Sequence, residues 1–315
     1  MTVSGPCILF EPWNLGDALI AVATALQDPG RIAVACHSKW HVLIRLCVPE
    51  GVRLELIAVD LEYVNRGRRT GFAFGETKSI ADPRPVLSIR GDPRDLLAAK
   101  RIFPRSKIRM TGWFSFLARR FRLLDFPVVR GWLPVRNRYR AWARLAGVPF
   151  EKVERFYEAR RSDTRPEAPI VIHIGAQWRA KQYPWVERLK RKIEAAGRSV
   201  KVVAGPADPL PEGIPESVVL RLTNGELVRE FKNGAFVLSN DSGPMHLAAI
   251  LGLRTLVSVR TSNIAEWLPP GVTPIESERM PRGYRADPEY DTDRVLNGWP
   301  SPEEILTELF SNPVR

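Results

Sequence analysis

Runs of consecutive apolar residues alternate along the chain with segments whose apolar positions recur at helical spacing. CILF (7–10), RIAVAC (31–36), LELIAV (54–59) and VLSI (86–89) are short, largely apolar runs, as strands buried on both faces are. Between them, the spacing predicts helices from about Gly16 to Gln27 and from Lys39 to Cys47. Residues 60–85 are rich in Gly, Arg and polar side chains and are expected to form a loop; residues 136–146 are expected to be helical. The polar stretch ARRSDTRPEAP (159–169) has no apolar period and reads as an interdomain linker.

The same rhythm then restarts. IVIHI (170–174), SVKVVAG (199–205), SVVLRL (217–222), AFVLSN (235–240) and RTLVSV (254–259) predict strands. Trp185–Ala196, Gly225–Asn233 and Ser242–Leu251 predict the helices between them. The segment SPEEILTELF (301–310) predicts a last helix, with Ser301 as N-cap and Glu304 completing a capping box. Strand–helix alternation of this kind implies an α/β chain of two doubly wound, Rossmann-like halves with parallel sheets. The expected domains are 1–160 and 161–300, with the helix of 301–315 packing back on the N-terminal domain. Two such halves put a cleft between them, and ligands of open parallel sheets bind at the carboxyl ends of the strands.

Candidate chemistry falls at those strand ends. In VLSNDSGPMHLAAILGL (237–253) a strand hands over to a helix at Asp241 and Ser242. Pro244 suits the first helical turn, because its missing N–H would have no partner there. The N–H groups of that turn and the positive end of the helix dipole favour an anion, and Gly243 lets a phosphate approach the backbone. His246 lies one turn in, on the face of Ser242. The pattern suits a diphosphate cradle; the competing explanation is an N-capped helix with a core histidine.

In NLGDALIAVATAL (14–26), Gly16 opens the turn and Asp17 sits at a helix N-terminus, either as a cap or as a general base toward a hydroxyl. In HIGAQWRAKQYPW (173–185), Gly175 turns the chain after a strand. Lys181 there is either a surface cation or a point charge for a leaving phosphate. In VVAGPADP (202–209), Gly205 ends a strand and Asp208 follows three residues on, as a candidate acceptor for ribose hydroxyls or as an ordinary turn residue.

These stretches, in this order, resemble the family-9 glycosyltransferases, the group that includes the ADP-heptose:lipopolysaccharide heptosyltransferases. The resemblance rests on Gly16-Asp17, HIGAQWRAKQYP, AGPAD and, most specifically, NDSGPMHLAA; it covers the C-terminal half well and little of the N-terminal half beyond residues 7–27. It implies a GT-B architecture: two facing Rossmann-like domains, the acceptor held by the first and the nucleotide-sugar donor by the second. It further implies inverting transfer without a metal or other cofactor. By the same resemblance Asp17 matches the catalytic base, and Lys181, Asp241, Ser242, Gly243 and His246 match the donor-phosphate site. Asp208 matches a position, often glutamate in the family, near the nucleotide ribose. The implied partners are a nucleotide-sugar, with a heptose as the sugar, and a bacterial glycan or glycolipid acceptor such as lipopolysaccharide core.

Charge adds one further candidate. The chain carries a net +12, and residues 100–161 hold 17 Lys or Arg against 4 Asp or Glu, with twelve aromatics. This segment either fills a core beneath a basic surface or meets an anionic face such as the inner membrane. No apolar run approaches the roughly 18 residues of a membrane span. MTVSGPCILFEPW lacks the basic and apolar regions of a signal peptide. Cys7, Cys36 and Cys47 have no CxxC spacing, so buried thiols in a reducing, cytoplasmic compartment are expected, with peripheral contact at the inner membrane. Asp291-Thr292-Asp293 reads as a polar loop, not a metal motif. The rival functions are a nucleotide-sugar epimerase and an inactive basic protein binding anionic lipid or nucleic acid. No nucleic-acid motif is present, and no GxGxxG follows a strand.

Overall fold

The computed structural model describes residues 3–66, 69–74, 78–89, 93–110, 137–161, 167–176, 181–211, 213–259, 264–276 and 298–311. The chain divides into two compact units, Met1–Val153 and Glu154–Arg315.

The first unit is built on a five-stranded parallel sheet. Its strands are β1 (Cys7–Phe10), β2 (Ile32–Cys36), β3 (Leu56–Ala58), β6 (Val86–Ser88) and β7 (Ile108–Met110). They run in the order β3-β2-β1-β6-β7. Every residue of β1 and β2 is buried, which explains their unbroken apolar sequence. Helix α1 (Leu15–Ala25) is buried along nearly its whole surface and packs against α4 (Arg138–Ala146). The Asn137 side chain caps α4 by accepting from Tyr139 N at 3.0 Å and Arg140 N at 3.2 Å. Helices α2 (His41–Cys47) and α3 (Pro93–Ile102) complete the crossovers. Ile8, Phe10, Val86, Ala98 and Phe103 form the core on the α3 side, with Phe10 and Phe103 edge to face at 6.3 Å.

Residues 60–85 are not a plain loop. They carry an antiparallel hairpin of β4 (Leu61–Arg66) and β5 (Arg69–Phe74), paired from Leu61↔Phe74 to Arg66↔Arg69. The cross-strand ladder supplies the backbone partners that a loop of this length would otherwise seek in water. Helix α5 (Phe150–Arg160) likewise runs through the start of the expected linker; residues 162–166 of that linker lie outside the described residues.

The second unit holds six parallel strands. These are β8 (Ile170–His173), β9 (Val200–Ala204), β10 (Val219–Arg221), β11 (Phe236–Asn240), β12 (Thr255–Val259) and β13 (Thr273–Glu276). Their order is β10-β9-β8-β11-β12-β13. Counted from β8 this is the 3-2-1-4-5-6 arrangement of a dinucleotide-binding sheet, and the order reverses between β8 and β11. Helices α6 (Val186–Ala195), α7 (Asn224–Asn233), α8 (Gly243–Ile250), α9 (Ile264–Trp267) and α10 (Pro302–Ser311) accompany it. Gly252, at φ +81°, ends α8 where an added Cβ would stand 1.9 Å from the Arg160 carbonyl oxygen. Only glycine fits that approach of α8 to the end of α5.

The last helix has the capping box expected of it: Ser301 N donates to Glu304 Oε2, and Glu304 N donates to Ser301 Oγ at 3.2 Å. Its packing differs from the expectation of a return to the N-terminal domain. Ile305 and Leu309 belong to the core of the second unit with Ile172, Leu189 and Leu238, and Glu303 pairs with Arg188 and Lys192 of α6. The apolar face of α10 thus finds its burial on α6 and the adjoining sheet. No helix among the described residues is long and apolar enough to cross a membrane.

Candidate functional site

In each unit, sequence-predicted residues lie where the strand order reverses; Gly205 and Asp208 follow β9, one strand away. In the second unit, β8 and β11 are register neighbours, with Ser239 opposite His173. The chain leaving β8 passes Ile174, Gly175 and Ala176; the chain leaving β11 passes Asp241 and Ser242 into α8. Lys181 comes back across this gap, and its Nζ lies 2.8 Å from Asp241 Oδ2. The lysine side chain is 26% exposed and the aspartate 9%, so the pair stands at the surface of the site with the cation outermost.

Ser242 is the N-cap of α8 in extended conformation, and its side chain makes no capping hydrogen bond. Its hydroxyl lies 3.4 Å from both the Gly175 and Asn240 carbonyl oxygens. Asp241 is engaged by Lys181. Neither Asp241 nor Ser242 therefore caps the helix by a side-chain bond, and Gly243 and Pro244 are partly exposed beside them. A cation and an uncapped helix mouth in one corner attract an anion. His246 is 4% exposed and sits among the buried residues of α8.

Asp208 links the ends of β8 and β9. Its Oδ2 accepts from Gly205 N at 2.8 Å and lies 3.7 Å from His173 Nε2. A Cβ on Gly175 would fall 1.8 Å from that same oxygen, so the glycine leaves the space that the carboxylate fills. Arg221 braces the turn by donating to the Gly205 carbonyl at 3.0 Å and the Asp208 carbonyl at 2.6 Å. The Asp208 side chain remains 36% exposed. His173 is held neutral: burial pushes its pKa down to about 4 against the attraction of Asp208.

The reversal in the first unit lies between β1 and β6. Here Gly16 and Asp17 occupy the first turn of α1, both buried, and Asn14 Nδ2 donates to Asp17 Oδ2 at 3.2 Å. Beside them is a network the sequence did not announce. Trp13 Nε1 donates to Asp95 Oδ1 at 2.9 Å, and Ser88 Oγ donates to Asp95 Oδ2 at 3.1 Å. Asp95 is 2% exposed and ties the exit of β1 to the end of β6 through α3.

The structure brings Lys181, Asp241, Ser242, Gly243 and Gly175 to one corner and Gly175, Gly205 and Asp208 to the next; Asp17 and Gly16 belong to the other unit. Sequence reading overlooked Asn240, Gln182, Arg221, His173 and Asp95. Of these, Asn240, Gln182 and His173 lay inside noticed motifs, and the amides and the arginine act through backbone groups that only folding brings near. Of the basic segment 100–161, Phe103, Tyr139, Trp142 and Tyr157 are buried in the fold. Arg140 and Arg160 lie over Phe150 and Phe156. Residues 111–136 lie outside the described residues, as do Gln177 to Ala180 and Asp291 to Asp293.

No protein-family model and no curated protein sequence matches the chain. Solved structures do. A family 9 glycosyl transferase from Veillonella parvula DSM 2008 matches with TM-score 0.59 and 14% identity, over 99% of this chain and 98% of that one. E. coli ADP-heptose lps heptosyltransferase II matches with TM-score 0.55 and 16% identity, over 97% and 98%. E. coli heptosyltransferase WaaC with ADP matches with TM-score 0.52 and 14% identity, over 85% and 92%. At these identities the likeness is one of fold: the chain shares the two-unit, Rossmann-like α/β fold of these glycosyltransferases.

Proposed function

We propose that the protein is an inverting glycosyltransferase. In this reading it moves a sugar from a nucleoside-diphosphate sugar to a hydroxyl of a bacterial glycan or glycolipid, without a metal. The observation that carries the reading is the corner at the β8/β11 reversal, where Lys181, Asp241 and the uncapped mouth of α8 meet. The donor diphosphate binds there, with the nucleotide ribose toward Asp208, whose Oδ1 accepts from its hydroxyls. The neighbours with ADP and ADP-heptose in their descriptions favour ADP-heptose as donor and lipopolysaccharide core as acceptor.

The chemistry then runs as a single displacement. The acceptor oxygen forms a bond to the anomeric carbon from the face opposite the diphosphate, while its proton passes to Asp17. The bond from the anomeric carbon to the phosphate oxygen breaks, and its electrons leave with the diphosphate. The Lys181 ammonium and the α8 dipole oppose the charge that grows there, which lowers the barrier directly. A glycolipid acceptor would bring the protein to an anionic membrane face, for which the cations of residues 100–161 are the candidate contact.

The test is release of nucleoside diphosphate from ADP-, GDP-, UDP-, CDP- and dTDP-sugars in EDTA, with and without a truncated lipopolysaccharide acceptor. Acceptor-dependent release from one donor is expected. Turnover of a donor sugar without any acceptor would instead mark an epimerase or hydrolase. Activity that EDTA abolishes and a divalent cation restores would overturn the metal-free mechanism.

A further inference from the structure

A lysine is a point charge on a flexible stem, so its value to a leaving group depends on where its backbone is fixed. Two buried amides fix it here. Asn240, the last residue of β11, is 1% exposed. Its Oδ1 accepts from Tyr183 N at 3.0 Å, and its Nδ2 donates to the Ile174 carbonyl at 2.9 Å. One side chain thus joins the exit of β8 to the backbone two residues after Lys181. Gln182, 4% exposed, directs its Nε2 to the Ala176 carbonyl at 3.2 Å and the Pro209 carbonyl at 3.1 Å. The Tyr183 ring, buried edge-on between Trp185 and Trp299 at 5.9 and 5.7 Å, pins the same segment.

The partners dictate the chemistry of both residues. A backbone N–H requires an acceptor on one arm of residue 240, and a carbonyl requires a donor on the other. Only an amide offers both at this size. An aspartate would set an oxygen against the Ile174 oxygen. Gln182 faces two carbonyls with its NH2 group, and glutamate would fail in the same way.

We propose that Asn240 and Gln182 are positioning residues for Lys181, and that Asn240-Asp241 works as a two-part clamp. The amide holds the lysine's backbone, and the neighbouring carboxylate holds its ammonium at 2.8 Å. The inference rests on the reading of this corner as a diphosphate site.

The test is a double-mutant cycle read by calorimetric binding of ADP and of inorganic pyrophosphate, on the full chain. Asn240→Asp is expected to weaken binding about tenfold in the wild-type background and less than about twofold when Lys181 is already alanine. Equal losses in both backgrounds would show that Asn240 acts on the fold alone and overturn the clamp. A Lys181→Ala variant that binds both probes like the wild type, or a wild type that binds neither, would overturn the diphosphate reading and the clamp with it. Gln182→Met, which keeps volume and removes both hydrogen bonds, runs the same cycle if Asn240→Asp does not fold. The same coupling supports the clamp, and additive losses overturn it.

Discussion

Gly175→Ala is the substitution with the sharpest structural consequence. The new Cβ would stand 1.8 Å from Asp208 Oδ2, 2.4 Å from its Cγ and 2.9 Å from His173 Cε1. An ordinary carbon–oxygen contact begins near 3.4 Å, so the carboxylate must move by roughly the difference, about 1.6 Å. Asp208 is short and held at two points: its Oδ2 takes the Gly205 N–H at 2.8 Å, and its own carbonyl takes Arg221 at 2.6 Å. Swinging the carboxylate away breaks the Gly205 bond and leaves a backbone donor at a strand end to find water. Together with the local overpacking this costs about 2 kcal/mol. For a unit of this size the loss lowers its melting temperature by roughly 4–8 °C.

Differential scanning calorimetry of Gly175→Ala, Asp208→Ala and the double variant measures it. Removing the Asp208 side chain removes the atom that Cβ strikes, so the double variant should be clearly more stable than the sum of the two single losses predicts. Strict additivity, or a Gly175→Ala variant melting within about 1 °C of the wild type, would refute the account of how the ends of β8 and β9 fit together.

Two further predictions concern protons. His173 is held neutral in the fold with its pKa near 4, against about 6.5 in the unfolded chain. Between those values the unfolded state binds more protons. Stability is therefore fully present above pH 6.5 and falls as the pH drops toward 4, by up to about 1.4 kcal/mol per pH unit. Urea denaturation across this range should show the slope, His173→Gln should flatten it, and an unchanged slope in that variant would assign it to other groups. Asp17→Ala should lower transfer roughly 10²- to 10⁴-fold while leaving the Kd for nucleoside diphosphate unchanged; full transfer activity would remove Asp17 as the base.

What the sequence disclosed, and what it hid, follows from the range of the interactions. The apolar runs of β1, β2, β8 and β11 were legible because both faces of those strands are buried. The Ser301–Glu304 capping box was legible because its partners lie within one turn. The hairpin of β4 and β5 was not, because Gly71 and the arginines around residues 66–69 obscure its alternation. Helix α5 keeps an apolar period at Phe150, Val153, Phe156 and Tyr157, but its charges and its closeness to the polar stretch 159–169 hid it.

At the site, NDSGP announced a helix mouth suited to an anion. That Asn240 reaches Tyr183 and Ile174 depends on β8 and β11 being neighbours although 62 residues lie between them in the chain, and no local pattern carries that. Asp95 was invisible for the same reason, since Trp13 and Ser88 meet it only after β1 and β6 pair.

The central claim, that the β8/β11 corner holds the diphosphate of an activated sugar, is tested most directly by nucleotide-induced thermal shift. ADP, GDP, UDP, CDP and dTDP would each be added in EDTA to the wild type and to Lys181→Ala. The account predicts that one nucleotide raises the melting temperature of the wild type and that most of this shift disappears in Lys181→Ala. A panel without any shift, or a shift of the same size in both proteins, would contradict it.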